Sequence, residues 1–215
     1  SGGSAFSISY VGGDGNDVVL TTFVINELYV DDDFSGSFGQ LIADADLGTA
    51  GNQQAFFGIN AFATFADALA AATAGSTIIV NAGTYNEAVT LVGTQTLEVT
   101  GPDAAQNVVI GSLAGAAGTS VVIEGTSSLT VGTNNGSTSF GGSISGASGF
   151  TKAGTGRFTV TSANGGLSGN VVVNSGVLEV TNAAALGGST VTVNGAALEI
   201  NNVTIANTAS LNNGA

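Results

Sequence analysis

Two neighbouring stretches of the sequence superpose at an offset of 20 residues. Val171, Val173, Asn174, Leu178, Glu179, Val180 and Asn182 fall over Val191, Val193, Asn194, Leu198, Glu199, Ile200 and Asn202. A period this short holds two or three strands and cannot enclose a core alone, so it must stack on copies of itself. Similar β-rich runs recur through the rest of the chain, separated by Gly, Asn, Ser and Thr. They are Ile78-Val80, Ala88-Leu91, Leu97-Val99, Val108-Ile110, Val121-Ile123, Leu129-Val131, Phe158-Val160, Val171-Val173, Val177-Val180, Val191-Val193, Ala197-Ile200 and Val203-Ile205. Each alternates apolar with small polar residues, the period of a strand with one buried face. Stacked at about 4.8 Å, the 140 residues from Ser76 to Ala215 predict about seven rungs and roughly 34 Å of column. Asn174 and Asn194 are expected to form an internal amide ladder at a turn. Glu179 and Glu199 stack as like charges and are expected to face water.

One segment departs from the strand period. Asn60 to Gly75 is Ala-rich, with Phe62, Phe65 and Leu69 at helical spacing and Gly75 as a stop, which predicts an amphipathic helix over about 64–73. A solenoid leaves an apolar end and an unpaired strand edge, and a helix just before the first rung is a natural lid for both. Ahead of it, Leu28-Val30 reads as a strand and leads into the acidic stretch Asp31, Asp32, Asp33, Asp44 and Asp46, an irregular region beside the lid.

Composition removes whole classes of function. The 215 residues include no His and no Cys, so a Ser-His-Asp triad, a thiol nucleophile and an ordinary zinc or copper site are excluded. Two cations, Lys152 and Arg157, stand against 15 acids, a net charge of -13, which points away from nucleic acid. No apolar run reaches the roughly 18 residues of a membrane-spanning helix. The chain also lacks Met and a secretory signal, so it is expected to be processed or a slice of a longer product.

Two resemblances follow from particular residues. YVDDDF (Tyr29-Phe34), FATFADAL (Phe62-Leu69) and GSTIIVNAGTYNEAVTL (Gly75-Leu91) together resemble the opening of pectin-lyase-like right-handed parallel β-helices, with Ser76 where Asp is commoner. This implies a fold and no activity. From Gly149 to Ala215, the text K-A-G-T-G (Lys152-Gly156), V-N-S-G-V-L-E-V (Val173-Val180) and A-A-L-G (Ala184-Gly187) resembles the autotransporter-associated β-strand repeat of bacterial surface and secreted passenger proteins. Ser7 to Thr21 is similar to the text that closes such repeat regions. The resemblance implies one period of a tandem protein, or a fibre subunit whose ends stack on neighbours.

Gly12-Leu20, GGDGNDVVL, fits the calcium-binding nonapeptide at every position, and makes Asp14 and Asp17 candidate ligands for a hard cation. The nonapeptide sites form between stacked copies and this chain has one, so a Gly-Asp-Gly-Asn turn between two strands is the competing reading. In an extended chain Asp31 and Asp33 share a face while Asp32 points away, which makes Asp31 and Asp33 a second calcium candidate against a solvated acidic loop. Lyase chemistry of the pectate type needs a base beside a carboxylate-bound Ca²⁺. Only Lys152 and Arg157 qualify, and both lie far along the coil from the acidic stretch. The remaining acids of the coil form no evident hydrolytic pair.

The sequence thus predicts an all-β fold, a right-handed parallel β-helix (β-solenoid, rungs of about 20 residues) with one short capping α-helix near residues 64–73. Residues 1–24 read as closing strands of a preceding repeat, 25–75 as acidic loop and lid, and 76–215 as the β-helix. The expected role is a non-enzymatic structural or adhesive rod, secreted or on the cell surface, with calcium as the one candidate cofactor. Expected partners are neighbouring copies or adjacent repeats end to end, and glycans, with neither nucleic acid nor membrane insertion. The alternative is a carbohydrate-binding or carbohydrate-cleaving β-helix, with Tyr85, Phe140, Phe150 and Phe158 as the aromatics available to a groove, the three Phe being expected mostly in the core.

Overall fold

The computed structural model describes residues 5–12, 17–23, 25–99, 101 and 103–212, with side chains from residue 25 onward. From Thr77 the chain winds as a parallel β-solenoid of about 6 turns with a spacing of about 21 residues, close to the expected length and period. Three parallel faces run along the rod. One stacks Glu27–Val30, Thr77–Val80, Thr96–Val99, Ser120–Ile123 and Ser143–Ser145. A second begins in Gly83–Leu91 and continues through Asn107–Gly115, Ser128–Val131, Phe150–Lys152, Val171–Val173, Val191–Asn194 and Ala209–Asn212. The third uses the far halves of Gly83–Leu91 and Asn107–Gly115, then Thr138–Phe140, Arg157–Val160, Val177–Val180 and Ala197–Ile200.

Alternation sets what each strand buries. Thr77–Val80, Thr96–Val99, Ser120–Ile123 and Arg157–Val160 all turn every second side chain inward. Their inward residues join one continuous core from Leu28 to Val193. The offset read from sequence is the register observed: Val171 pairs with Val191, Val173 with Val193, Leu178 with Leu198 and Glu179 with Glu199. Glu179 and Glu199 do face outward, and Arg157 Nη1 bridges them at 3.2 and 2.7 Å.

Two local expectations are corrected. The ladder at Asn174 and Asn194 exists, with Asn194 Nδ2 donating to Asn174 Oδ1 at 2.8 Å and Asn212 Nδ2 to Asn194 Oδ1 at 2.9 Å, but it is exposed. The buried amides among the described residues are Asn81, Gln95, Gln106 and Asn164, and they form no such ladder. Val203-Ile205 is not a strand; the next rung is Ala209–Asn212, whose Ala209 pairs with Val191 after 18 residues.

The lid is a helix, Phe65–Ala71, slightly shorter than expected. Thr64 caps it, accepting from Asp67 N at 3.1 Å. Glu87, from the first turn of the solenoid, takes two further orphan donors, Phe65 N at 3.1 Å and Ala66 N at 2.8 Å. A carboxylate at the positive end of the helix dipole thereby pins the lid to the rod. Phe65 and Ala68 are fully buried under it, and the Phe65 ring meets Tyr85 edge-on at 5.0 Å. Beside the lid, Tyr29, Ala45, Ala55 and Ala61 form a small second core.

Candidate functional site

The acidic corner lies where the first strand leaves the closed end of the rod. Strand Glu27–Val30 ends at Asp31, whose N–H donates to Phe62 O at 3.1 Å. The chain then turns at once. Asp31 Oδ1 accepts from Asp33 N at 2.9 Å, an Asx-type turn that ends the extended conformation. As a result Asp32 does not point away. Carboxylate oxygens of Asp31, Asp32 and Asp33 all lie within 4.8 Å of one another, with Asp31 buried and the other two exposed. Asp31, Asp32 and Asp33 therefore share one corner, where an extended chain would have separated Asp32 from the other two.

Asn81 organises the base of this corner. Its Nδ2 donates to Asp31 Oδ2 at 2.9 Å and to Ala45 O at 3.1 Å, while its Oδ1 accepts from Leu47 N at 3.1 Å. One buried amide thus ties together the first strand, the acidic loop and the first rung. Asp32 Oδ2 accepts from Thr84 N at 3.2 Å, and Asp46, also buried, accepts from Gly48 N at 3.0 Å. Beneath them Tyr85 Oη donates to Val30 O at 3.3 Å and to Asn81 O at 3.1 Å. Burial pushes the Tyr85 phenol well above its ordinary pKa, and the nearby Asp31 and Asp32 charges push it the same way. Tyr29 is held at about 12, first by burial and then by Glu27, whose carboxylate takes its hydroxyl at 3.1 Å. The corner is a cluster of hard oxygen donors on a hydrogen-bonded base. Asp32 joins the cluster only through the turn at 31–33, and Asn81 reaches Asp31 from 50 residues away along the chain, so neither is visible as part of a site in the sequence.

The other predicted site residues fall elsewhere. Asp14 lies outside the described residues; Asp17 opens the strand Asp17–Phe23, and its side chain also lies outside them. Tyr85, Phe140, Phe150 and Phe158 are all buried, so none lines a surface groove. A shallow hollow at the start of the strand Glu27–Val30 is lined by Ile25, Glu27, Phe56 and Ile59 among others.

Lys152 is the least expected of these residues. It occupies an inward position, in register with Val131 below and Val173 above, and is 1 % exposed. From Tyr85 through Ile110 and Val131 to Lys152 is three rungs, about 14 Å, from the acidic corner. Its stem continues the apolar column while the ammonium donates to backbone oxygens of Ala153, of Gly154 at 2.9 Å and of Ser175 at 3.3 Å. This is a structural fastener between two turns, and its burial lowers the ammonium pKa below the ordinary 10.5. The folded chain therefore loses this proton more readily than the unfolded one, so this group makes stability rise with pH from its lowered pKa up to 10.5. Lys152→Met keeps the stem and removes the titration. Urea unfolding between pH 8 and 10 will show a flatter pH dependence in the variant than in the parent chain.

No known protein-family model, curated protein or solved structure matches the chain.

Proposed function

We propose that this chain is a stiff, non-catalytic rod in the extracellular part of a bacterial surface or fibre-forming protein, with copies or adjacent repeats continuing end to end. The observation that supports it is the continuous register of the second face, from Thr84 through Val109, Thr130, Thr151, Val172, Thr192 and Ser210. Every rung is joined to the next by backbone hydrogen bonds, and the outside carries further cross-rung links. Ser128 Oγ donates to Asn107 Oδ1 at 2.8 Å, Thr190 Oγ1 to Asn170 Oδ1 at 2.9 Å, and the Asn174–Asn194–Asn212 ladder runs beside them. A column stitched inside and out resists bending and holds what it carries at a fixed distance. The resemblance of Gly149-Ala215 to autotransporter-associated repeats supports the bacterial surface setting.

Calcium at Asp31 and Asp33 belongs to the same reading, with Asp32 completing a hard-oxygen set. Electron microscopy of the purified chain in Ca²⁺ and in EGTA tests both parts. Strings of subunits joined end to end are expected, and an Asp33→Asn variant indifferent to EGTA would assign calcium to the corner. Discrete particles in every condition that retain a soluble polysaccharide would favour the carbohydrate-binding alternative instead.

A further inference from the structure

Among the 19 asparagines of the sequence, two are followed at the second position by Ser or Thr: Asn135, in Asn135-Gly136-Ser137, and Asn202, in Asn202-Val203-Thr204. This triplet is the pattern at which an asparagine amide accepts a glycan, and it has that meaning where it lies in a surface loop. Asn135 lies in mid-rod, with further rungs on both sides of it. Other asparagines commit their amide nitrogen to the fold. Asn81 and Asn164 do so in the core, and Asn194, Asn201, Asn207 and Asn212 donate across to neighbouring rungs.

Asn135 is arranged differently. It sits in the turn between Ser128–Val131 and Thr138–Phe140 with a φ of 62°, a left-handed conformation that asparagine tolerates better than most residues. The residue is exposed. Its Oδ1 accepts from Thr155 N at 2.8 Å and from Thr155 Oγ1 at 3.3 Å in the next rung. The Thr155 N–H can only donate, so the oxygen is the atom turned toward the rung and the nitrogen the one turned away. Nδ2 has no hydrogen-bond partner among the described residues. The residues around the turn are small: Gly111 and Ser112 in the rung below, Gly154, Thr155 and Gly156 in the rung above.

We propose that Asn135 is a glycan-attachment site on the side of the rod. In the transfer, Nδ2 bonds to the anomeric carbon of a sugar carried by a glycosyl diphosphate donor. The bond from that carbon to the phosphate oxygen breaks, the diphosphate leaves with the electron pair, and one Nδ2 proton passes to a base on the transferase. The amide oxygen is untouched, so both bonds from Thr155 persist and the rungs keep their register. Its occurrence in the cell rests on the extracellular setting proposed above.

Intact mass and peptide mapping of the chain recovered from the cells that make it, with surface and cytosolic fractions kept apart, test the site and the setting separately. A glycan on Asn135 in the surface fraction is expected. Bare Asn135 in a surface-located chain overturns the attachment and leaves the setting standing. A chain found only in the cytosol overturns the setting, and the mass at Asn135 still decides the attachment. The geometry is tested on the purified, folded chain carrying Asn202→Gln, so that Asn135 heads the one remaining triplet. Given a transferase that reads the triplet and its sugar diphosphate, this chain is expected to gain one sugar, and the same chain with Asn135→Gln none. A folded chain that stays unmodified while a peptide of residues 130–142 is modified overturns the proposal, because the turn then hides Nδ2.

Discussion

Gly154→Ala will lower the stability of the chain by about 3 kcal/mol, far more than one methyl group in a turn usually costs. Two effects add. Gly154 has a φ of 65°, in the left-handed region, where a side chain costs about 1–2 kcal/mol. A Cβ there would also sit 1.8 Å from the carbonyl oxygen of Gly132 in the rung below. Relieving that overlap means moving one rung against the next, and overpacking of this kind costs about 1–3 kcal/mol. The same carbonyl corner holds the Lys152 ammonium through Gly154 O, so the fastener loosens with it. Gly195 separates the two effects. Its φ is 64°, but nothing lies within 4 Å of its added Cβ. Gly195→Ala will therefore cost only the conformational part, about 1–2 kcal/mol. Equal midpoints for the two variants in urea would remove the rung-on-rung contact from the account.

Phe158→Ala will cost about 3–5 kcal/mol. Phe158 is 1 % exposed, it lies in register with Leu178 above, and its ring meets Phe150 edge-on at 5.9 Å and 89°. Because core columns run along the rod, the vacated volume is bounded above and below by side chains already committed to their own rungs. Little collapse into it is open to them, which places the loss toward the upper part of the range. Phe38→Ala, at a residue 79 % exposed, will change stability by less than about 0.5 kcal/mol. Urea unfolding followed by far-ultraviolet circular dichroism measures both.

What the sequence made legible followed the repeat. Where the offset stays near 20, as from Val171-Val180 to Val191-Ile200, each residue reads against its neighbour and the register is visible without coordinates. Where the loops change length, the reading slipped. Val203-Ile205 alternates as a strand should, but the chain shortens its last period and pairs Ala209–Asn212 instead. Phe150–Lys152 ends on a charged residue, so apolar periodicity does not mark it as a strand. The position is inward all the same, made tolerable by carbonyls of Ala153, Gly154 and Ser175 turned toward the ammonium. Such an arrangement of carbonyls leaves no trace in local composition. At the acidic corner Asp31 and Asp33 were legible as a pair, but Asp32 was assigned to the wrong side, since alternation holds only while the chain is extended and the Asp31–Asp33 N–H bond ends it. Asn81 comes from 50 residues away along the chain, and only the closed end of the rod unites it with Asp31.

The most direct test of the stacked-rung architecture is oxidative cross-linking of designed cysteine pairs, for which a chain without Cys provides a clean background. Asn174 and Asn194 are 20 residues apart and their side-chain amides touch at 2.8 Å across neighbouring rungs. An Asn174→Cys, Asn194→Cys double variant brings its Cα atoms to parallel-strand separation, inside the range of about 4.4–6.8 Å that a disulfide tolerates. Asn174→Cys with Asn201→Cys places the second thiol on a different face of the rod and serves as the displaced control. Rapid, near-complete intrachain bonding is expected in the first double variant and little in the second. Equal bonding in both, or none in the first, would contradict a solenoid in this register.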